Sequence, residues 1–215
     1  MNVNDILTDI LRREGGFTAD KQDNAHYGKA QPRAGKPFDC YCTNLGITQA
    51  TLSAYYGRQA SIEEVRNLSP DVAREIYETR YFSGPRLHTL PEGIQAAMLD
   101  AAVNSGPRRA VQFLQEVLNQ AGYGPMQSDG AVGPKTRAAA ERADREMGAM
   151  LLAALIEQRR AFLADLVKAD PGDAKYWRGW MRRLREFIRV AAASAPADLT
   201  AWFAELLTGY DRECA

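Results

Sequence analysis

The residue in this sequence best placed to hold and release a proton is the glutamate of Leu11-Arg12-Arg13-Glu14-Gly15-Gly16-Phe17. Glu14 falls at the last turn of an amphipathic helical stretch, and two glycines stop the helix behind it. The macrodipole disfavours a carboxylate at a helix C-terminus, which favours the protonated form. A carboxylic acid still protonated near neutral pH is what a general acid for glycosidic cleavage requires. Such cleavage also needs a carboxylate across the scissile bond and a group to hold the attacking water. Asp23 follows after a turn, and Thr43 offers a hydroxyl. Spacing alone also allows the plain reading of a solvent-exposed helix end.

The elements that must carry these groups are almost all helical. Ile6, Leu7, Ile10 and Leu11 recur at helical spacing before Gly15. Residues 17 to 48 break the pattern with Gly28, Pro32, Gly35, Pro37 and Gly46, and predict a loop with a small β-hairpin, Phe38 to Cys42 and Thr43 to Ile47 being the extended candidates. Beyond Thr48 the helix signals repeat. Ser61-Ile62-Glu63-Glu64 has capping-box spacing, and Ser69-Pro70 places a cap before a proline. Ser105-Gly106-Pro107, Gly122 with Gly124, and Pro171-Gly172 punctuate the later helices. Asp129-Gly130 and Gly133-Pro134 read as a tight turn and a helix start. The last stretch carries Leu199, Trp202, Phe203, Leu206, Leu207 and Tyr210 as an apolar stripe. The fold class expected is mainly α, with a small β-hairpin or loop region near the N-terminus.

Composition narrows the function classes. The chain has 215 residues, 27 Lys plus Arg against 27 Asp plus Glu, and 46% hydrophobic residues, in the ordinary globular range. Zero net charge excludes a general nucleic-acid binder, which would show a basic excess. Only six cations are lysines, so the chain is arginine-rich. No charge-free apolar run approaches the roughly 20 residues of a membrane span. Asp5 and Asp9 interrupt any signal-peptide pattern, so synthesis as a soluble cytoplasmic protein is expected. Three cysteines, Cys40, Cys42 and Cys214, form no paired framework, and free thiols are the simplest expectation. Cys40-Tyr41-Cys42 with His26 lacks the ligand number and spacing of a zinc site, so no metal and no cofactor are expected.

Glu14-Gly15-Gly16-Phe17, Thr43-Asn44-Leu45-Gly46-Ile47-Thr48, Tyr81-Phe82 and Asp100-Ala101-Ala102-Val103-Asn104-Ser105-Gly106-Pro107 occur in the order seen in phage-type muramidases of glycoside hydrolase family 108, which the sequence resembles from about Ile6 to about Leu184. Asp129-Gly130-Ala131-Val132-Gly133-Pro134-Lys135-Thr136 resembles the signature of the peptidoglycan-binding region that accompanies them. The resemblance implies a lysozyme-like helical fold and cleavage between N-acetylmuramic acid and N-acetylglucosamine in peptidoglycan, with Glu14 as the catalytic acid. It further implies a Glu14, Asp23, Thr43 triad, with Asp20 the competing carboxylate and Thr48 the competing hydroxyl. Asp20, Asn44, Thr48, Tyr81 and Asn104 are the expected substrate-binding positions, although Asn104 also suits a helix-to-helix connector. Two departures stand out: a longer segment from Asn24 to Cys42, and Tyr81-Phe82 where the family commonly has Tyr-Trp.

The resulting domain reading is a muramidase over 1–190, with a catalytic block at about 6–105 and a peptidoglycan-binding region at about 107–190, then a helical extension at 191–215. A monomer acting on bacterial peptidoglycan in the periplasm or cell wall is expected. Its release would come from a holin, as for a phage or prophage endolysin, or from a secretion apparatus, with an immunity or delivery partner. Rival readings are a lytic transglycosylase and a non-catalytic wall-binding module. From Tyr176 to Arg189, Trp177 and Trp180 lie on an apolar stripe with Leu184, which predicts core packing, and the arginines predict a solvated face suited to an anionic wall polymer.

Overall fold

The computed structural model describes residues 2–19 and 42–214. The chain divides into two compact units, residues 4–79 and residues 1–3 with 80–215.

In the first unit, α1 (Val3–Arg13) buries Ile6, Leu7 and Ile10. Arg12 and Arg13 at its end pair with Asp9 at 2.6 and 2.7 Å, one helical turn back. Gly15, at φ +71°, turns the chain out of the helix. Thr18 then pairs antiparallel with Thr43 through two backbone hydrogen bonds of 2.8 and 2.9 Å. Strands β1 (Thr43–Asn44) and β2 (Ile47–Thr48) form a hairpin in the register Thr43 with Thr48 and Asn44 with Ile47. Its two turn residues, Leu45 and Gly46, both have positive φ, 51° and 72°, as a two-residue type I′ turn demands. The extended expectation for 43 to 47 is thereby a tight hairpin; most of the other candidate, Phe38 to Cys42, lies outside the described residues.

Three short helices follow: α2 (Gln49–Tyr56), α3 (Ile62–Arg66) and α4 (Pro70–Glu78). Thr48, Ser61 and Ser69 cap them, each accepting a backbone N–H from its own first turn. At α3 the capping box is complete, and Arg58 adds a 2.5 Å ion pair to Glu64. That arginine, with the Ser61 N–H, lowers the Glu64 carboxyl to about 2. A depressed carboxyl contributes stability that is complete above its ordinary value and lost as pH falls toward the folded one. The α3 amides should therefore lose hydrogen-exchange protection as pH drops from about 4.5 toward 2, and Glu64→Gln should flatten that dependence.

The second unit begins in a π-helical turn, Thr79–Ser83, and a 3-10 turn, Leu87–Thr89. Five longer helices follow it: α5 (Glu92–Ser105), α6 (Pro107–Gln120), α7 (Pro134–Met147), α8 (Ala149–Ala169) and α9 (Trp177–Ala193). The last helix is α10 (Thr200–Cys214). Helix α5 is buried continuously from Ala96 to Ala102 and packs on α6 and α8; α8 packs on α9, and α9 on α10. Gly148, at φ +53°, separates α7 from α8. The Asp129-Gly130 turn is organised by buried Gln115, whose amide donates to Asp129 at 2.8 Å and to the Ala131 carbonyl at 3.1 Å, while Gly130 N–H donates back to it at 2.9 Å. Gly130 sits at φ +77° against the Arg108 backbone, where a side chain has no room. These contacts give that motif a structural role.

Three expectations are corrected. Trp177 and Trp180 are half-buried, because α9 turns Met181, Leu184, Phe187, Ile188 and Ala191 inward and leaves its first turn at the edge of the bundle. The arginine face is not uniformly solvated: Arg183 binds buried Asp100, Arg185 pairs with Asp211 at 2.6 Å, and Arg189 pairs with Glu186 at 3.0 Å. Arg178 and Arg182 stay exposed. The C-terminal stripe docks in part, as α10 buries Phe203 and Tyr210 and leaves Trp202 40% exposed, which corrects nothing in the sequence reading. Finally, Cys42 is disulfide-bonded and Cys214 is a free thiol. Mainly α with a small N-terminal hairpin remains the correct description.

Candidate active site

Glu14 continues the bonding pattern of α1, its N–H donating to the Ile10 carbonyl at 3.0 Å, and its side chain is exposed to solvent. The helix end fixes where that side chain starts, and the β1–β2 turn fixes where its carboxyl rests. A Cβ placed on Gly46 would lie 2.8 Å from Glu14 Oε2 and 3.0 Å from its Cδ. The same Cβ would overlap the Tyr77 hydroxyl. Glu14 and Tyr77 therefore converge on the bare face of one glycine. Glycine is required there twice over, for its positive φ and for the space its missing side chain leaves.

Tyr77 comes from the buried stripe of α4 and donates its hydroxyl to the Leu45 carbonyl at 3.2 Å. This ties α4 to the hairpin turn beside Glu14. Sequence reasoning gave Tyr77 no part in the site. The available signal was chemical, because a buried tyrosine needs a partner for its hydroxyl. On the other side, the guanidinium of Arg66 stacks over the Phe17 ring at 4.4 Å and holds the Gly15-Gly16-Phe17 segment to α3.

The remaining expected site residues divide by location. Thr43 is buried at the centre of the Thr18, Thr43, Thr48 ladder, and both of its backbone polar groups bond Thr18. Asn44 donates both amide hydrogens to α3 carbonyls, to Val65 at 3.0 Å and Arg66 at 2.9 Å. Its amide thus satisfies the C-terminal end of a helix. Thr48 accepts the Thr51 N–H at 3.1 Å as the α2 cap. Glu14, Thr43, Asn44 and Thr48 all belong to the unit at 4–79. Asp20 and Asp23 lie outside the described residues. Tyr81 and Asn104 belong to the unit at 80–215. Tyr81 is half-buried in the π-helical turn with the Arg80 guanidinium 5.9 Å from its ring. Asn104 donates to the Asp100 carbonyl at 2.7 Å, four residues back in its own helix. Among the described residues no group of three or more His, Cys, Asp and Glu side chains could hold a metal.

The chemistry available in the first unit is an exposed carboxyl held at a rigid corner formed by a helix end, a type I′ turn and a buried tyrosine. A Gly46→Ala variant should damage this corner. The added methyl meets Glu14 and Tyr77 at a positive φ, which should cost about 1–3 kcal/mol of stability. Displacing the carboxyl by a fraction of an ångström to an ångström should lower turnover by up to about a hundredfold. Thermal melts together with wall-digestion rates measure the two effects separately.

The family model described as Glycosyl hydrolase 108 matches residues 7–106, and that described as Predicted Peptidoglycan domain matches residues 109–185. Among solved structures, the chain is similar to SagA of Brucella abortus, at 30% identity and a TM-score of 0.62, over 92% of this chain and 98% of that one. No curated protein matches significantly in sequence. The hydrolase match contains Glu14, Gly46 and Tyr77 and extends through α5 into the second compact unit. With a carboxyl posed at the hairpin turn and a peptidoglycan region following in sequence, the chain belongs to glycosyl hydrolase family 108 and is a lysozyme-like glycoside hydrolase directed at peptidoglycan.

Proposed function

We propose that the protein is an N-acetylmuramidase, which hydrolyses the β-1,4 bond between N-acetylmuramic acid and N-acetylglucosamine. The observation that carries this reading is the Glu14 carboxyl, exposed to solvent yet seated against the Gly46 turn. Glu14 delivers its proton to the glycosidic oxygen as the bond from the muramic C1 breaks. Positive charge grows on the sugar ring, and the Asp23 carboxylate stabilises it or takes a proton from the incoming water. Thr43 orients that water. Its place on a strand of the hairpin whose Gly46 turn meets Glu14 supports the role, since a site on a strand is held more exactly than one on a loop. Asn44 and Thr48 support the hairpin through α3 and α2, and Asp20, Tyr81 and Asn104 are assigned to the saccharide.

The setting proposed is that of an endolysin, made in the cytoplasm and released to the cell wall by a holin. The ordered resemblance to phage-type muramidases supports it. Among the described residues no helix is long and apolar enough to cross a membrane. Delivery by a secretion apparatus with an immunity partner is the second setting, and genome neighbourhood separates the two.

Digestion of purified sacculi followed by mass analysis of the released fragments tests the chemistry. Hydrolysis yields reducing N-acetylmuramic acid ends. Anhydro ends would instead identify a transglycosylase, and binding without release of fragments would identify a wall-binding module.

A further inference from the structure

Inside the peptidoglycan match at 109–185, the turn into α9 presents a face that the hydrolytic reaction does not use. We infer that this face is where the second unit grips the wall polymer. Tyr176 and Trp180 stack on an N-acetyl sugar of the glycan strand, and Lys175, Arg178 and Arg182 pair with carboxylates of the peptide stem that the strand carries. The inference rests on peptidoglycan being the target and assigns the contact to particular residues.

The rings come first. Tyr176 is 37% exposed and Trp180 is half-buried, with ring centroids 5.8 Å apart and planes inclined at 35°. Four residues separate them, so successive turns set them side by side. The 3-10 turn Pro171–Tyr176 that delivers Tyr176 is held by Asp170, which accepts the Gly172 N–H at 2.9 Å, and it packs on α8 and α9. The face of an aromatic ring is electron-rich and attracts the slightly positive C–H hydrogens of a pyranose.

Charge makes the occupant specific. From Ala174 to Arg182 the chain carries three cations and no acid. Lys175, Arg178 and Arg182 follow at spacings of three and four, which makes one stripe along the helix, and all three are exposed. Farther along α9, Arg183, Arg185 and Arg189 are engaged with carboxylates, whereas among the described residues no ion pair holds Arg178 or Arg182. The Lys175 ammonium lies 4.9 Å from the Tyr176 ring and joins the stripe to the rings. Gly179 falls between the stripe and Trp180, without a positive φ, and a Cβ there would meet no atom within 4 Å. A glycine within a helix costs stability relative to alanine, and neither backbone nor packing demands one at this position. Its bare surface lets a ligand lie across the helix from rings to cations. A neutral glycan would use the rings alone, and a simple polyanion the cations alone. A glycan whose sugars carry acidic peptide stems uses both.

The test uses the full chain carrying Glu14→Gln, so that bound polymer is not cut. Titration with a soluble disaccharide tetrapeptide, followed by NMR, should shift the Trp180 indole signal saturably and leave that of Trp202 in place. In sedimentation with purified sacculi, Tyr176→Ala should weaken binding about tenfold. Arg178→Gln combined with Arg182→Gln should weaken it about fivefold, with the fold of each variant verified by circular dichroism. Arg189→Gln removes a cation that Glu186 already neutralises on the same helix, and should leave binding unchanged. Added poly-glutamate should not displace the protein. Failure of the parent chain to bind sacculi at all would remove peptidoglycan as the target, and this inference with it. Sacculus binding undiminished in Tyr176→Ala or in the double arginine variant, or a Trp180 signal that does not move, would overturn this inference alone. Equal loss in Arg189→Gln, or displacement by poly-glutamate, would overturn it too, by revealing a general polyanion face.

Discussion

Replacing Glu14 with glutamine should reduce release of fragments from purified sacculi by about a hundred- to ten-thousandfold, the range a general acid supplies. The substitution keeps the size and shape of the side chain and removes only its ability to give up a proton. The fold should tolerate it, because Glu14 is exposed and its structural contribution is a backbone bond to Ile10 that glutamine retains. The melting temperature should therefore stay close to that of the wild type while activity disappears. Glu14→Asp should fall between them, since it keeps the acid and withdraws it from the Gly46 corner. Purified Glu14→Gln protein that still digests sacculi at the wild-type rate would show this mechanism to be wrong.

The second large effect concerns stability. Asp100 is fully buried in α5, and its two oxygens bind Arg159 of α8 at 2.7 Å and Arg183 of α9. Arg159 is itself buried, and its second nitrogen reaches the Ala97 carbonyl at 3.5 Å. One carboxylate thus joins three helices of the second unit. An Asp100→Ala variant leaves the buried Arg159 guanidinium without its counter-charge and takes one partner from Arg183, and should cost about 3–5 kcal/mol. For a chain of this size that corresponds to a fall of roughly 6–20 °C in melting temperature. A combined Asp100→Leu, Arg159→Met, Arg183→Met variant should recover most of the loss, because it removes the buried charges together with their partner. Calorimetry on both variants checks the pair. Equal destabilisation of the two would mean that packing volume, not charge, sets the cost.

The two predictions draw on different kinds of legibility. The helix starts at Ser61 and Ser69 were readable because a cap and the N–H it accepts lie within one turn. The β1–β2 turn was not readable in this way: the extended candidate Thr43 to Ile47 runs through Leu45-Gly46, whose positive φ angles close the hairpin. Asp100 was visible as part of the Asp100 to Pro107 block, but its partners lie 59 and 83 residues away. No local pattern identifies Arg183 as the residue that answers it. The arginine-rich stretch consequently read as a free basic face, although three of its members are engaged with carboxylates. Trp177 and Trp180 share helical spacing with Leu184, yet spacing does not say where a bundle ends, and both indoles are half-exposed.

The sequence by itself determined the helical class, the punctuation of the helices and the family, and it singled out Glu14 as the expected acid. Those features rest on interactions that close within a few residues, or on blocks whose order survives along the chain. Tertiary structure alone decided that Glu14 meets Gly46 and Tyr77, that Asn44 serves the end of α3, and that Asp100 consumes two arginines. It also decided that α10 buries Phe203 and Tyr210 but leaves Trp202 exposed. Each of these depends on burial and on charge partners brought together from distant segments. A charge paired out of water behaves differently from the same charge in solvent, and only the folded chain says which state each one is in.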